Sequence, residues 1–131
     1  MATDWRAVAV GFVVLLVAGA FATAIPVVGH VGAGLVGGFV AGYLAAGGLG
    51  RGAWHGLLAG SITGIVLSFL FALFGSVVAG LGGGPFGAFF GGVGVLIAGL
   101  ALTAAFAIDS ALAGAVGAWV KGWSAEPGVR G

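Results

Sequence analysis

The chain has 131 residues, of which 61% are hydrophobic and 5% charged, with 30 glycines and a mean hydropathy of +1.29. A soluble domain is roughly a quarter charged, so this composition excludes a water-soluble domain and predicts a protein solvated by lipid. The net charge of +1 argues against a nucleic-acid-binding surface, and the absence of cysteine excludes disulfides, thiolate catalysis and sulfur-ligated metals.

Five apolar segments follow one another along a single transmembrane domain that covers residues 1–131. Proline and glycine mark the breaks, at Pro26 with Gly29, at residues 47–52 and at residues 82–85. The segments lie at about residues 7–25, 29–46, 53–80, 87–108 and 109–122. The predicted fold is therefore all-α, a polytopic transmembrane helical bundle.

The first segment also has features of a secretory signal, because Arg6 precedes the apolar stretch and Ala22-Thr23-Ala24 provides small residues for cleavage. The stretch is long enough to span a bilayer, and its sequence recurs later in the chain. We therefore expect it to remain in the protein as the first helix.

Small residues recur at every fourth position in the second and third segments. Because this spacing leaves one side of a helix without bulky side chains, a neighbouring backbone can approach closely. We therefore predict glycine-zipper packing, with helices two and three forming a tight core within the chain; the alternative is that the strips meet between chains. The glycines concerned are Gly34, Gly38 and Gly42, and Gly52, Gly56, Gly60 and Gly64.

An ungapped comparison of the chain with itself aligns residues 7–48 with residues 87–128, and 15 of the 42 pairs are identical. This indicates an internal repeat, in which a helical hairpin is duplicated around a central helix. The alternative is that any two helices rich in glycine, alanine and valine align in this way.

The basic residues favour an even number of membrane crossings. Arg6 precedes the first span and Arg51 follows the second, so the positive-inside rule places both in the cytoplasm, with Trp5, Tyr43 and Trp54 at the same interface. Lys121 and Arg130 lie on the same side only if the number of crossings is even. We predict four spans in the cell membrane with a cytoplasmic N-terminus, and a short re-entrant or interfacial C-terminal helix over residues 109–122; a fifth span is the alternative.

Three polar side chains are candidates for a polar or ion site. Asp109 follows a long apolar run, and an intramembrane acid is a functional candidate; it is also interpretable as the N-cap of the last helix or as a partner for a basic residue. His30 and His55 lie near segment ends, where interfacial water would solvate them. No ligand pair among the three has the spacing of a strong metal site, so no metal is predicted.

No catalytic signature or cofactor motif is found. Gly32, Gly34 and Gly37 belong to a G-x-G-x-x-G pattern, but no strand precedes it, so nucleotide binding is not predicted. The hydroxyl side chains are expected to bond back to their own helices. They are Ser61, Thr63, Ser68, Ser76 and Thr103.

Three stretches carry a family resemblance: Asp4-Trp5-Arg6-Ala7-Val8, the run over residues 34–45 from Gly34-Leu35-Val36 to Leu44-Ala45, and Gly52-Ala53-Trp54-His55-Gly56. The chain resembles small glycine-rich integral membrane proteins of haloarchaea that form a domain-of-unknown-function family. The resemblance implies an archaeal cell membrane and several helical spans, and it transfers no catalytic residue.

The leading hypothesis is a non-enzymatic membrane protein that acts through helix packing, as a self-associating scaffold or an accessory subunit. Its expected partners are the lipid bilayer and a homo-oligomer or larger membrane complex, not nucleic acid. The alternative is a minimal channel or transporter built on the duplicated hairpin, with Asp109 near the pathway.

Overall fold

The computed structural model describes residues 2–22 and 24–129, and all of their side chains except those of residues 26–28, 30 and 125–129. The described residues form three α-helices and no strand, so the predicted all-α class is confirmed. The helices are α1 (Trp5–Ala22), α2 (Pro26–Ala45) and α3 (Leu49–Val129).

Helices α1 and α2 form an antiparallel hairpin. Asp4 caps α1, since its Oδ1 accepts hydrogen bonds from the amides of Arg6 at 3.0 Å and Ala7 at 3.3 Å. Proline suits the first turn of a helix because its missing N–H would have no helical partner there, and α2 begins at Pro26. Gly11 of α1 then packs against Ala41 of α2, which brings the two backbones together.

A short turn with positive φ angles joins α2 to α3. Ala46, Gly47 and Gly48 have φ of 47°, 105° and 96°, and the second and third of these favour glycine. Helix α3 begins at Leu49, so it includes residues 49–52, which the sequence had assigned to the loop. The predicted loop was too long because the sequence does not distinguish a glycine that packs in a helix, such as Gly52, from a glycine in a turn.

Helix α3 reverses direction at Gly84, where φ is 60° and ψ is −151°. This conformation is essentially restricted to glycine. It divides α3 into a first arm, residues 49–83, and a second arm, residues 85–129. The arms run antiparallel, with Gly80 facing Ala88, Gly64 facing Thr103 and Gly52 facing Gly114. The predicted break at residues 82–85 is therefore the turn of a long hairpin.

The second arm is one helix, which corrects two predictions. Helical structure continues through Ile108 and Asp109, so the separate C-terminal helix over residues 109–122 is absent. Residues 87–128 also lie in this single arm, whereas the segment aligned with them, residues 7–48, contains the turn between α1 and α2. Pro26 imposes that turn, and the aligned position holds Phe106, which continues a helix.

The base of the molecule is defined by the N-terminus of α1, the C-terminus of α2 and the neighbouring parts of the α3 arms. Helix α1 has 18 residues and is about 27 Å long, whereas the first arm of α3 extends for about 52 Å. The α1–α2 pair therefore covers the arms only near the base. Beyond the α1–α2 pair, residues 69–102 form a two-helix extension, which we call the distal hairpin.

The core lies in the four-helix part. Its buried apolar cluster contains Leu15, Ala33, Ala41 and Ala59. In the distal hairpin, by contrast, Ala72 is the one described residue that is buried. Helices α1 and α3 are long and apolar enough to cross a membrane, and the apolar part of α2, Val31–Ala45, is shorter.

Candidate functional site

The first glycine strip, residues 52–64, packs on the second arm of α3. A Cβ atom added to Gly56 would collide with the carbonyl of Ser110, and one added to Gly64 would collide with Thr103. The backbones are thus in direct contact at these positions. This proximity permits the close van der Waals packing on which helix association in lipid depends.

The second glycine strip, residues 34–42, meets the same arm from α2. A Cβ atom on Gly38 would collide with Ser110, and one on Gly42 with Gly114. The second arm therefore packs against both strips, and both strips contact Ser110 and Gly114. The predicted pairing of helices two and three is wrong in this respect, because each strip faces the second arm rather than the other strip.

Ser110 and Gly114 were missed by the sequence reasoning. Ser110 is completely buried, and its Oγ donates a 2.8 Å hydrogen bond to the carbonyl oxygen of Gly56. The sequence did contain a signal, since small residues recur every three or four positions along this arm. They are Thr103, Ala107, Ser110, Gly114 and Ala118.

Hydroxyl groups make further contacts along the α3 hairpin. Ser68 and Thr103 bond back to their own helices, as expected, and they also lie 3.2 Å from each other across the arms. Thr63 bonds back to Ala59. Ser76 differs from the prediction, because its Oγ donates to the carbonyl oxygen of Ala88 on the other arm.

His55 is fully buried, so the predicted interfacial solvation of this residue is wrong. Its Nε2 lies 2.7 Å from the backbone nitrogen of Asp4, and its Nδ1 lies 2.7 Å from the carbonyl oxygen of Arg51. The Asp4 amide can only donate and the Arg51 carbonyl can only accept. The ring therefore carries its proton on Nδ1 and is neutral.

Asp109 lies inside the second arm, which rules out its interpretation as a helix N-cap. Its side chain is half-buried, and no described side chain forms a hydrogen bond or ion pair with it. Twelve residues separate it from Lys121, which corresponds to about 18 Å along the helix. His30 belongs to α2, but its side chain lies outside the described residues. Among the described residues, no three His, Asp or Glu side chains cluster as metal ligands.

The described basic residues share the base of the molecule. Arg6 lies in the first turn of α1, Arg51 lies in the first turn of α3, and the ammonium of Lys121 lies 5.3 Å from the centre of the Tyr43 ring. The bond between His55 and the Asp4 amide joins the starts of α1 and α3. Arg130 lies outside the described residues.

An apolar cavity of about 60 Å³ lies where α1, α2 and both arms of α3 meet. Ligand sites typically measure roughly 300–1,000 Å³, so this cavity is too small for a drug-sized molecule. Its lining includes Leu15, Ala33, Leu67 and Phe106. Close helix contacts and a small apolar cavity therefore occur together in the four-helix part of the described chain.

Comparison with known proteins gives a family but no activity. The family model described as "Family of unknown function (DUF5518)" matches residues 5–120, which include α1, α2 and most of α3. No curated protein and no solved structure matches the chain. The chain belongs to DUF5518, a family of unknown function.

Proposed function

We propose that the protein is a non-enzymatic, multi-pass protein of the cell membrane that acts through helix packing. It crosses the bilayer four times, through α1, α2 and the two arms of α3. It serves as a self-associating scaffold or as an accessory subunit of a larger membrane complex. The resemblance described above favours an archaeal membrane.

Helix length and charge support four crossings. The 18 residues of α1 and 20 of α2 give about 27 and 30 Å, which suits a hydrocarbon core of about 30 Å. Residues 52–108 contain no charged side chain. Because Arg6, Arg51 and Lys121 share the base, the positive-inside rule favours a cytoplasmic base and N-terminus.

Small-residue contacts support glycine-zipper packing within the chain. Lipid provides no hydrophobic drive between helices, so close backbone approach and interhelical hydrogen bonds supply the attraction. Both glycine strips make such an approach to the second arm, at Ser110 and Gly114. These strips are occupied within one chain, so self-association requires another surface.

The proposal of self-association rests on the distal hairpin. Its arms continue past the α1–α2 pair, and large apolar side chains cover its outer faces, with Phe74 68% and Leu81 86% exposed. Part of it would project beyond a bilayer matched to α1 and α2. A second copy offers an identical uncharged hairpin, so each copy would cover the other without burying any charge.

Disulfide cross-linking of single-cysteine variants tests this proposal, because the chain has no cysteine of its own. Phe74→Cys and Leu81→Cys should form covalent dimers in vesicles under mild oxidation. Val13→Cys is the matched control, since Val13 is 55% exposed on α1 and should form few dimers. Equal cross-linking of all three variants, or none, would contradict self-association through the distal hairpin.

Thiol labelling from either side of the membrane tests the crossings. Single cysteines at Leu49 and Ala125 should react from the cytoplasmic side, and one at Gly83 from the opposite side. Labelling of positions 49 and 125 from opposite sides would contradict an even number of crossings.

A second candidate function is a minimal channel or transporter. The observation that favours it is Asp109, a half-buried acid inside an apolar helix with no described partner. Residues 87–128 form one helix rather than the duplicated hairpin that this hypothesis assumes, so the pathway would lie beside the second arm. Ion flux into proteoliposomes that Asp109→Asn abolishes would favour transport; the absence of flux in the unmodified protein would argue against it.

A further inference from the structure

His55 connects the N-terminal segment, residues 2–6, to the beginning of α3. The Asp4 amide donates to its Nε2, and its own Nδ1–H donates to the Arg51 carbonyl, each over 2.7 Å. A second bond lies beside this one, since the indole N–H of Trp54 donates to Thr3 Oγ at 3.1 Å. Two consecutive residues of α3 thus hold two consecutive residues of the N-terminal segment.

We propose that His55 is a proton-sensitive latch that holds the N-terminal segment against α3 when neutral and releases it when protonated. Protonation adds a hydrogen to Nε2, which then faces the N–H of Asp4. The protonated ring has two N–H donors, whereas the neutral ring has one donor and one acceptor. The ring has no exposed surface. A buried polar group without its partner is unfavourable, so the protonated ring favours separation from the segment.

The charged groups around the latch come from each element at the base. The N-terminal segment contributes Asp4 and Arg6, and α3 contributes Arg51 one turn before His55. Tyr43 of α2 and Lys121 of the second arm lie at the same end. The Asp4 carboxylate already accepts bonds from the Arg6 and Ala7 amides, so it caps α1 while the Asp4 backbone engages His55.

Release would free the start of α1 from α3 and leave the glycine contacts of α2 and α3 in place. The Gly38 and Gly56 contacts with Ser110 contain no titratable side chain. Acidification should therefore loosen the N-terminal segment while the helical hairpin of α3 remains folded. This inference does not depend on the number of membrane crossings or on self-association.

A nitroxide attached to Ala2→Cys, at an exposed position beside the latch, reports on the mobility of the segment. In the full-length protein in vesicles, the electron paramagnetic resonance spectrum should change from immobilised to mobile as the buffer is acidified from about pH 8 to about pH 5, the range over which histidine switches operate in proteins. His55→Gln should lose this step, because glutamine can accept the Asp4 hydrogen bond but does not titrate in this range. A step that persists in His55→Gln, or no step in the parent protein, would overturn the proposal.

Three further variants identify the titrating group. His30→Gln and Asp4→Asn should retain the step, the second because asparagine still caps α1. Trp54→Phe removes the neighbouring bond and weakens the latched state, so its midpoint should move to higher pH. Because Trp54→Phe leaves His55 in place, an unchanged or lower midpoint would overturn the proposal even if His55→Gln failed to fold.

Discussion

Ser110 and Gly56 meet across the two arms of the α3 hairpin, near the base of the molecule. The Ser110 hydroxyl donates a 2.8 Å hydrogen bond to the Gly56 carbonyl, and the Ser110 carbonyl occupies the space that a Cβ atom on Gly56 would need. Gly38 of α2 also approaches Ser110, and a Cβ atom there would meet the same carbonyl oxygen. Ser110, a small residue on the second arm, is thus contacted by one glycine from each of the two predicted strips. Substitutions of these residues should therefore change the stability of the packing.

Gly56→Ala should lower the free energy of unfolding by about 1–3 kcal/mol, because the new methyl group would force the two backbones apart. Gly94→Ala is the matched control, since nothing lies within 4 Å of a Cβ atom there. Both values can be measured by titration with sodium dodecyl sulfate in mixed micelles, with circular dichroism as the signal. Equal effects of the two substitutions would show that close approach at Gly56 contributes nothing.

Ser110→Ala should destabilise the protein by about 0.6–2 kcal/mol, which is the range for interhelical hydrogen bonds in membranes. The substitution removes the hydroxyl and leaves the Gly56 carbonyl without this donor. Ser124→Ala is a suitable comparison, because Ser124 is exposed and bonds only within its own helix, to Val120. If Ser110→Ala proved no more harmful than Ser124→Ala in the same unfolding assay, the bond would have no net role.

Gly84→Ala should cost about 1–3 kcal/mol, because φ of 60° with ψ of −151° is a region that side chains avoid. The neighbouring Gly83→Ala should be nearly neutral, since Gly83 has no positive φ and has open space around its Cα. Thermal unfolding in detergent would measure both. A larger loss from Gly83→Ala than from Gly84→Ala would place the reversal of the chain elsewhere.

Asp109→Asn should leave the free energy of unfolding within about 0.5 kcal/mol of the parent value, as for substitutions that break no specific interaction. Asp4→Ala, by contrast, should cost about 0.5–2 kcal/mol because it removes the cap of α1. The comparison separates a carboxylate without a described partner from one that caps a helix. A large loss of stability from Asp109→Asn would reveal a structural partner for that residue.

The turns of this protein were predictable where proline or glycine is required by backbone geometry. Pro26 begins α2, and Gly84 with Pro85 reverses α3, both within predicted breaks. The break before Asp109 was wrong, because a single acid can lie within a helix as well as at its N-cap. The assignment of His55 to an interface failed because burial of a side chain depends on the segment that covers it, here residues 3 and 4.

Sequence alone determined that the chain is apolar and helical and that small residues recur at every fourth position. These properties depend only on composition and on neighbours within one helix. Tertiary structure decided which small residues meet. Glycine strips resemble one another chemically, so the sequence offers several equivalent pairings. The reversal at Gly84 sets the antiparallel register that brings Ser110 to Gly56, and the α1–α2 hairpin then places Gly38 against the same residue.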